Sequence, residues 1–472
     1  MLGKLLTYSP VQLFSSIAIF SLIAIQTRIL GLEEYGLLSV FIVISELLRH
    51  VTSQWIISTL LRFYPSANTI KRNQLASTLF ILLLLSTSLV ASLSVPIHLF
   101  ISKEYLTSGE LSSILLLSIS KSIFFYFVEL RRLNEDKKRY QIAFIVQSLS
   151  SVGISILLLK ENASVTLAII AVSLSYFIGA SIAFFKLANT KLSTREELID
   201  IINYGIPIIY TGIISILASR IDRLALASII GLEAAGLYSA VSNLVTGIIS
   251  LIFMVIALPL YPEVSKHSGD KTSLFKAHKE YLNLLLIVAV PALVGLILVQ
   301  NPLIQTFVGE EFSTIGIVAF SLISLSVFIS NIQIHYIDHG LQFTNQTKYL
   351  PLVSLVKLGF SFTMFYIVSS SLNFLEIALV NLFASVISIL LSMTLAIIKG
   401  FKYKKTVVLG KVLTSSISMS LVIIFISHYL IGFNYELQLA ILVISGVISY
   451  SLLSLLLNVN NIKDTLSRSK KS

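Results

Sequence analysis

The sequence predicts an all-α polytopic membrane protein. About 14 transmembrane helices are expected, as two parallel six-helix repeats (an N-lobe and a C-lobe) plus two extra C-terminal helices, with both termini cytoplasmic. Three observations carry that expectation: the composition, the spacing of the apolar blocks, and a short motif written twice. The 472 residues are 56% hydrophobic and 12% charged, with a mean hydropathy of +0.91. A soluble domain carries about 25% charged residues, so this chain has too little charge to coat a water-facing surface. The absence of Cys excludes disulfides and thiol nucleophiles.

Apolar blocks between polar breaks define fourteen spans, at 10–30, 36–61, 74–98, 110–130, 140–159, 164–187, 201–229, 234–261, 281–300, 314–337, 348–369, 374–398, 407–430 and 436–457. Blocks of about 20 apolar residues cross roughly 30 Å of hydrocarbon as helices. The first block is too long for a signal-peptide core and lacks a small-x-small cleavage site, so it reads as a retained span. Of the 34 Lys and Arg, 26 fall in connections on one side of these spans and only Lys103 and Lys160 on the other. That bias puts both termini in the cytoplasm. It also accounts for the pI near 9.5 without a nucleic-acid partner.

The motif GLEEYGLLS (31–39) joins spans 1 and 2, and GLEAAGLYS (231–239) joins spans 7 and 8. Six of nine positions agree. Weaker matches pair the 96–105 stretch with 302–312, and YSP (8–10) with YGIP (204–207). Matches in one order argue for duplication of a six-helix unit, a common transporter plan. The expected organisation is an N-lobe at 1–187, a cytoplasmic linker at 188–200, a C-lobe at 201–398, and spans 13–14 with a basic tail at 399–472.

The run SRIDRLALASIIGLEAAGLYSA (219–240) resembles the span 7–8 signature of bacterial polysaccharide-export proteins, the Wzx-type flippases of the multidrug/oligosaccharidyl-lipid/polysaccharide exporter superfamily. The resemblance extends over nearly the whole chain in length, span count and repeat. It implies two lobes rocking between inward- and outward-open states around a cavity. The implied substrate is an undecaprenyl-diphosphate-linked oligosaccharide.

Six basic residues lie inside spans: Arg28, Arg49, Lys121, Arg220, Arg223 and Lys357. Each costs about 2.5–3.5 kcal/mol at the bilayer centre on insertion scales, so they are expected to face the protein interior. Arg28, within a turn of the end of span 1, is the weakest case. Acids inside spans are fewer: Glu46, Glu129 and Asp222. Glu46, Arg49 and His50 share a helix face at i, i+3, i+4 spacing, while Asp222 is on the opposite face from Arg220. Lys121 and Lys357 have no acid at i±3 or i±4. The surplus of buried positive charge calls for an anionic ligand, and a diphosphate suits it, because Arg offers bidentate donors to phosphate oxygens. Glu129 is expected to meet the basic 131–139 loop. His335, Asp338 and His339 read as a solvated helix end rather than a metal site.

A flippase must reset. A membrane carboxylate that loads H⁺ or Na⁺ would do this, and Glu46 and Asp222 are the candidates. No other cofactor is expected, and no P-loop is present for ATP. The expected role is therefore non-enzymatic: transport of an O-antigen or capsule repeat unit across the bacterial cytoplasmic (inner) membrane. Besides the bilayer, a polysaccharide polymerase and chain-length proteins are the expected partners. Three rivals remain: a flippase for the peptidoglycan lipid precursor, a drug or organic-cation antiporter, and a membrane-embedded polymerase or ligase. An antiporter cavity would favour acids, and an enzyme would need a large outer loop or a catalytic cluster there.

Overall fold

The computed structural model describes residues 2–100, 106–187, 192–369 and 373–459, with side chains from residue 14 onward except at 95 and 97–100. The expectations for Lys103, Lys191, the end of the 96–105 stretch and the tail basic residues fall outside the described residues, as do those for the side chains of Lys4 and of the YSP motif. The described residues form helices joined by short connections, without a strand. Among them, thirteen helices are long and apolar enough to cross a membrane. The first, Phe14–Phe63, runs 50 residues, more than twice the length one crossing needs. Gly31 breaks it with φ 73° and ψ −174°, and the two parts are the predicted spans 1 and 2. The other twelve coincide with predicted spans 3 to 14.

Local sequence sets many of the ends. Thr107 and Glu110 form a reciprocal capping box at the start of Ser108–Leu133, as do Thr194 and Glu197 at Arg195–Ile229 and Asn373 and Glu376 at Phe374–Ile398. Each pair satisfies two backbone donors that the first turn leaves open. The stretch after span 9, expected to be a plain connection, is itself folded. It forms a short helix, Gln300–Phe307, and a 3₁₀ turn, Glu310–Ile315.

The repeated motif has a double role. In each copy the first glycine has positive φ, Gly31 at 73° and Gly231 at 131°, a region that side chains resist. The second glycine lets two backbones touch. A Cβ on Gly36 would lie 1.9 Å from the Leu232 carbonyl oxygen, and one on Gly236 would lie 1.9 Å from the Leu32 carbonyl oxygen. The contact is reciprocal, as a local two-fold relation between equivalent segments requires.

The chain divides into two compact units, Leu2–Gly236 and Leu237–Ser472. In the first, the long helix Leu2–Arg49 packs on Ser108–Leu133, Lys137–Glu161 and Arg195–Ile229, and Trp55–Phe63 also packs on Arg195–Ile229. Span 7, part of the second copy by the repeat, thus packs with helices of the first. The core here is aromatic, with Phe124, Tyr126 and Phe127 buried among Ile56, Leu60, Leu79 and Leu83. In the second unit, Phe374–Ile398 packs on Ile317–Ile332 and Leu350–Ile367. Val408–Tyr429 packs on both Lys271–Leu298 and Tyr435–Leu456.

Gly36→Ala and Gly236→Ala are expected to destabilise by about 1–3 kcal/mol each, the usual cost of overpacking a tight contact. Gly269→Ala, with open space around its Cβ position, should be close to neutral. Thermal unfolding of the three variants in detergent checks the contrast.

Candidate functional site

The charged residues of spans 2 and 4 form one cluster. Arg49 Nε donates to Glu46 Oε2 at 2.9 Å, and Lys121 Nζ donates to Glu46 Oε1 at 2.6 Å. One carboxylate therefore holds two cations. Arg49 and Lys121 are nearly buried, with side chains 11% and 12% exposed, while Glu46 is 29% exposed. The Arg49 guanidinium lies 5.6 Å from the Phe125 ring centre and Lys121 Nζ 5.5 Å from that of Tyr176, within cation–π range. Both rings belong to the first unit.

Span 2 is not a regular α-helix at this level. His50–Gln54 is a π-helical turn. Residues five apart on an α-helix point about 140° apart, whereas a π turn, bonded i to i+5, brings them to one side. Arg49 Nη1 can thus reach Gln54 Oε1 at 2.9 Å. Neighbours brace the turn: Ser86 Oγ donates to the Thr52 carbonyl at 2.7 Å, and Ser122 Oγ to Ser53 Oγ at 2.9 Å. From span 7, Gly212 packs so closely on His50 that a Cβ would lie 2.7 Å from its ring.

Span 7 brings a second group into the same field. Asp222 and Arg223 are buried at 7% and 3% exposure, and Arg220 is half-buried. Arg220 lies within electrostatic range of Arg223, Asp222, Glu46 and Tyr35. Arg49, Lys121, Arg220 and Arg223 thus share the first unit with Glu46 and Asp222, and Arg220 lies in the field of Glu46. Arg28 is exposed at its helix surface. Lys357 belongs to the second unit, where its Nζ donates to Ser330 Oγ at 3.3 Å beside Ser385.

Sequence spacing anticipated the Glu46–Arg49 pair, and Glu129 meets Arg132 at 2.6 Å beside the basic loop. The Lys121–Glu46 bond joins residues 75 apart and had no signal in the sequence. Gln54 had one, as an amide inside an apolar span, and Phe125 and Tyr176 had none. The expectation of a solvated helix end at His335–His339 is corrected. Asp338 and His339 are 9% and 5% exposed, because the helix end is covered by Tyr261, Phe343, Phe401 and Tyr403. Among the described residues, no three His, Asp or Glu side chains come together to hold a metal ion.

The second unit also contains an apolar cavity of about 590 Å³ between span 9 and spans 13–14. Ile287, Pro291, Met419, Leu442, Gly446 and Tyr450 are among its lining residues.

The fold of this helical chain has counterparts among solved structures. It is similar to the lipid II flippase MurJ in an inward closed conformation, with a TM-score of 0.73 at 17% identity, covering 96% of this chain and 99% of that one. It is also similar to an inward-facing multidrug resistance MATE family transporter of the MOP superfamily (TM-score 0.63, 14% identity, 82% and 98% coverage). A MOP superfamily transporter from Pyrococcus furiosus, described as having a binding pocket of reverse polarity, matches with a TM-score of 0.53 at 15% identity over 83% and 96% of the two chains. No curated protein matches the sequence. Residues 25–317 match the model of the polysaccharide biosynthesis protein family. The chain belongs to that family, and its described residues form thirteen helices long and apolar enough to cross a membrane.

Removing one partner of a buried ion pair leaves an uncompensated charge and costs about 3–5 kcal/mol. Glu46→Gln, which strands two cations, is expected to cost about 3 kcal/mol, the lower end because Glu46 is partly open. Arg49→Gln should cost less, since Lys121 still holds the carboxylate. Melting temperatures of the purified variants check the order.

Proposed function

We propose that this chain flips an undecaprenyl-diphosphate-linked oligosaccharide repeat unit, of O-antigen or capsule type, from the cytoplasmic to the outer leaflet of the bacterial cytoplasmic membrane. It works by alternating access and is driven by a cation gradient. The observation that carries the reading is the positive surplus where one carboxylate, Glu46, pairs with both Arg49 and Lys121, with Arg220 in the same electrostatic field. A diphosphate neutralises such a surplus. The arginines take its oxygens bidentately and Lys121 adds a point charge.

Glu46 is the place-holder in this mechanism. Its two oxygens occupy Arg49 and Lys121 when no substrate is bound, and phosphate oxygens replace them. Loading H⁺ or Na⁺ on Glu46 or Asp222 raises the positive surplus and strengthens the hold on the anion. Releasing the cation returns the carboxylate to its partners and weakens that hold. Lys357 and Arg28 are further contacts along the route. The polyprenyl tail stays in the lipid. In this topology both termini are cytoplasmic, and a polymerase and chain-length proteins act on the delivered unit.

The charge balance disfavours an organic-cation antiporter, which needs surplus acids. It also gives no support to a polymerase or ligase. The likeness to the lipid II flippase fold favours one second reading, the peptidoglycan lipid precursor as substrate. Both substrates present a diphosphate to the same residues. Flipping assays in proteoliposomes with each lipid separate them.

Arg220→Ala and Lys357→Ala are expected to lower flipping by tenfold or more, about 1.4 kcal/mol or more of lost binding, while the variants still purify as folded protein. Normal transport by both would overturn the reading. Lys121→Arg, which keeps the charge, should retain more activity than Lys121→Ala.

A further inference from the structure

The second unit contains a buried acid in the segment that the sequence alone marks as a solvated helix end. Asp338, near the end of span 10, is 9% exposed. Its Oδ1 accepts from Ser392 Oγ at 2.5 Å, and the Gln333 side chain also bonds the carboxylate. Among the described residues, no Lys, Arg or His forms an ion pair with it. This sets it apart from Glu46, which serves two cations, and from Asp222, which lies in the field of Arg220 and Arg223. A buried carboxylate without a cation is expensive to keep ionised, and a proton removes that cost.

A second observation lies beside it. His278 and His339 are 1% and 5% exposed, and Tyr281 and Tyr336 are 2% and 4% exposed. His278 Nε2, His339 Nδ1, Tyr281 Oη and Tyr336 Oη have no hydrogen-bond partner among the described residues. The rings are in contact: His278 stacks on Tyr336 at 4.2 Å, and His339 lies 5.7 Å from His278 and 5.6 Å from Tyr281. The other titratable groups facing this cluster are His335 from span 10, Tyr261 from span 8 and Tyr403 from the 399–407 connection. Tyr403 lies within electrostatic range of both Asp338 and Tyr336, so it links the acid to the cluster. Buried polar atoms left over by the protein are met by internal water. Tyrosine hydroxyls can donate to such water, and bare imidazole nitrogens can accept from it.

We propose that Asp338 is a second ion-coupling site, one that binds a proton through water held by His278, His339, Tyr281 and Tyr336, and that its loading is required, together with that of the first-unit carboxylate, for a proton gradient to drive transport. One proton adds to the carboxylate, which goes from a charge of −1 to neutral while Ser392 remains bonded, and the same proton leaves when the site opens elsewhere. The residues fit a proton better than a metal ion, because no three His, Asp or Glu side chains converge here.

The coupling half of this inference rests on the flippase reading, whereas the binding half does not. Infrared difference spectra of the purified protein across a pH titration should show a protonated-carboxyl band that Asp338→Asn removes and that Asp338→Glu shifts without abolishing. His278→Gln with His339→Gln should perturb the band. In proteoliposomes, an imposed pH gradient should change the wild-type flipping rate at least tenfold and leave the Asp338→Asn rate unresponsive. A missing band, a band that persists in Asp338→Asn, or an Asp338→Asn protein that still follows the gradient would overturn the proposal. So would driving by a Na⁺ gradient alone. If the band behaves as expected but no diphosphate-linked lipid is flipped, the substrate reading fails and the proton site stands.

Discussion

A single carboxylate shared by two cations inside an apolar bundle is the contact on which the first unit depends. Charges in low dielectric persist only when matched. Among the described residues, Glu46 is the acid that matches Arg49 and Lys121, through one oxygen each. The match is incomplete by one unit of charge. On span 7 two arginines flank one aspartate. A site built this way can be stable when empty and still attract an anion.

The geometry around that carboxylate explains why span 2 departs from a regular helix. The π turn at His50–Gln54 widens the helix by a residue and swings Gln54 round to Arg49. The backbone groups it disturbs are met by serines of neighbouring helices. Bilayer hydrocarbon offers no water to repair such a defect, so it persists only where protein surrounds it.

The two units handle ionisable groups differently. In the first, carboxylates are set among cations, which suits recognition of an anion. In the second, Asp338 is set among hydroxyls and imidazoles, away from cations, which suits a site that changes its own charge. Both environments depend on small residues. Gly36 and Gly236 bring backbones together, Gly212 admits His50, and a Cβ on Gly340 would lie 2.3 Å from the Tyr403 hydroxyl.

Much of the architecture was legible in the chain alone. Apolar run length located the fourteen spans, because crossing hydrocarbon is a demand on each segment separately. The likeness of the GLEEYG and GLEAAG turns marked two glycine pairs of like backbone, and i, i+3 spacing marked the Glu46–Arg49 pair, because both are local in sequence. Tertiary structure alone decided that Lys121 meets Glu46, that Leu32 and Leu232 carbonyls cross the paired glycines, and that the His335–His339 segment is buried rather than solvated. Each of these depends on which helices meet and at what height, and a chain's own periodicity contains no record of its neighbours.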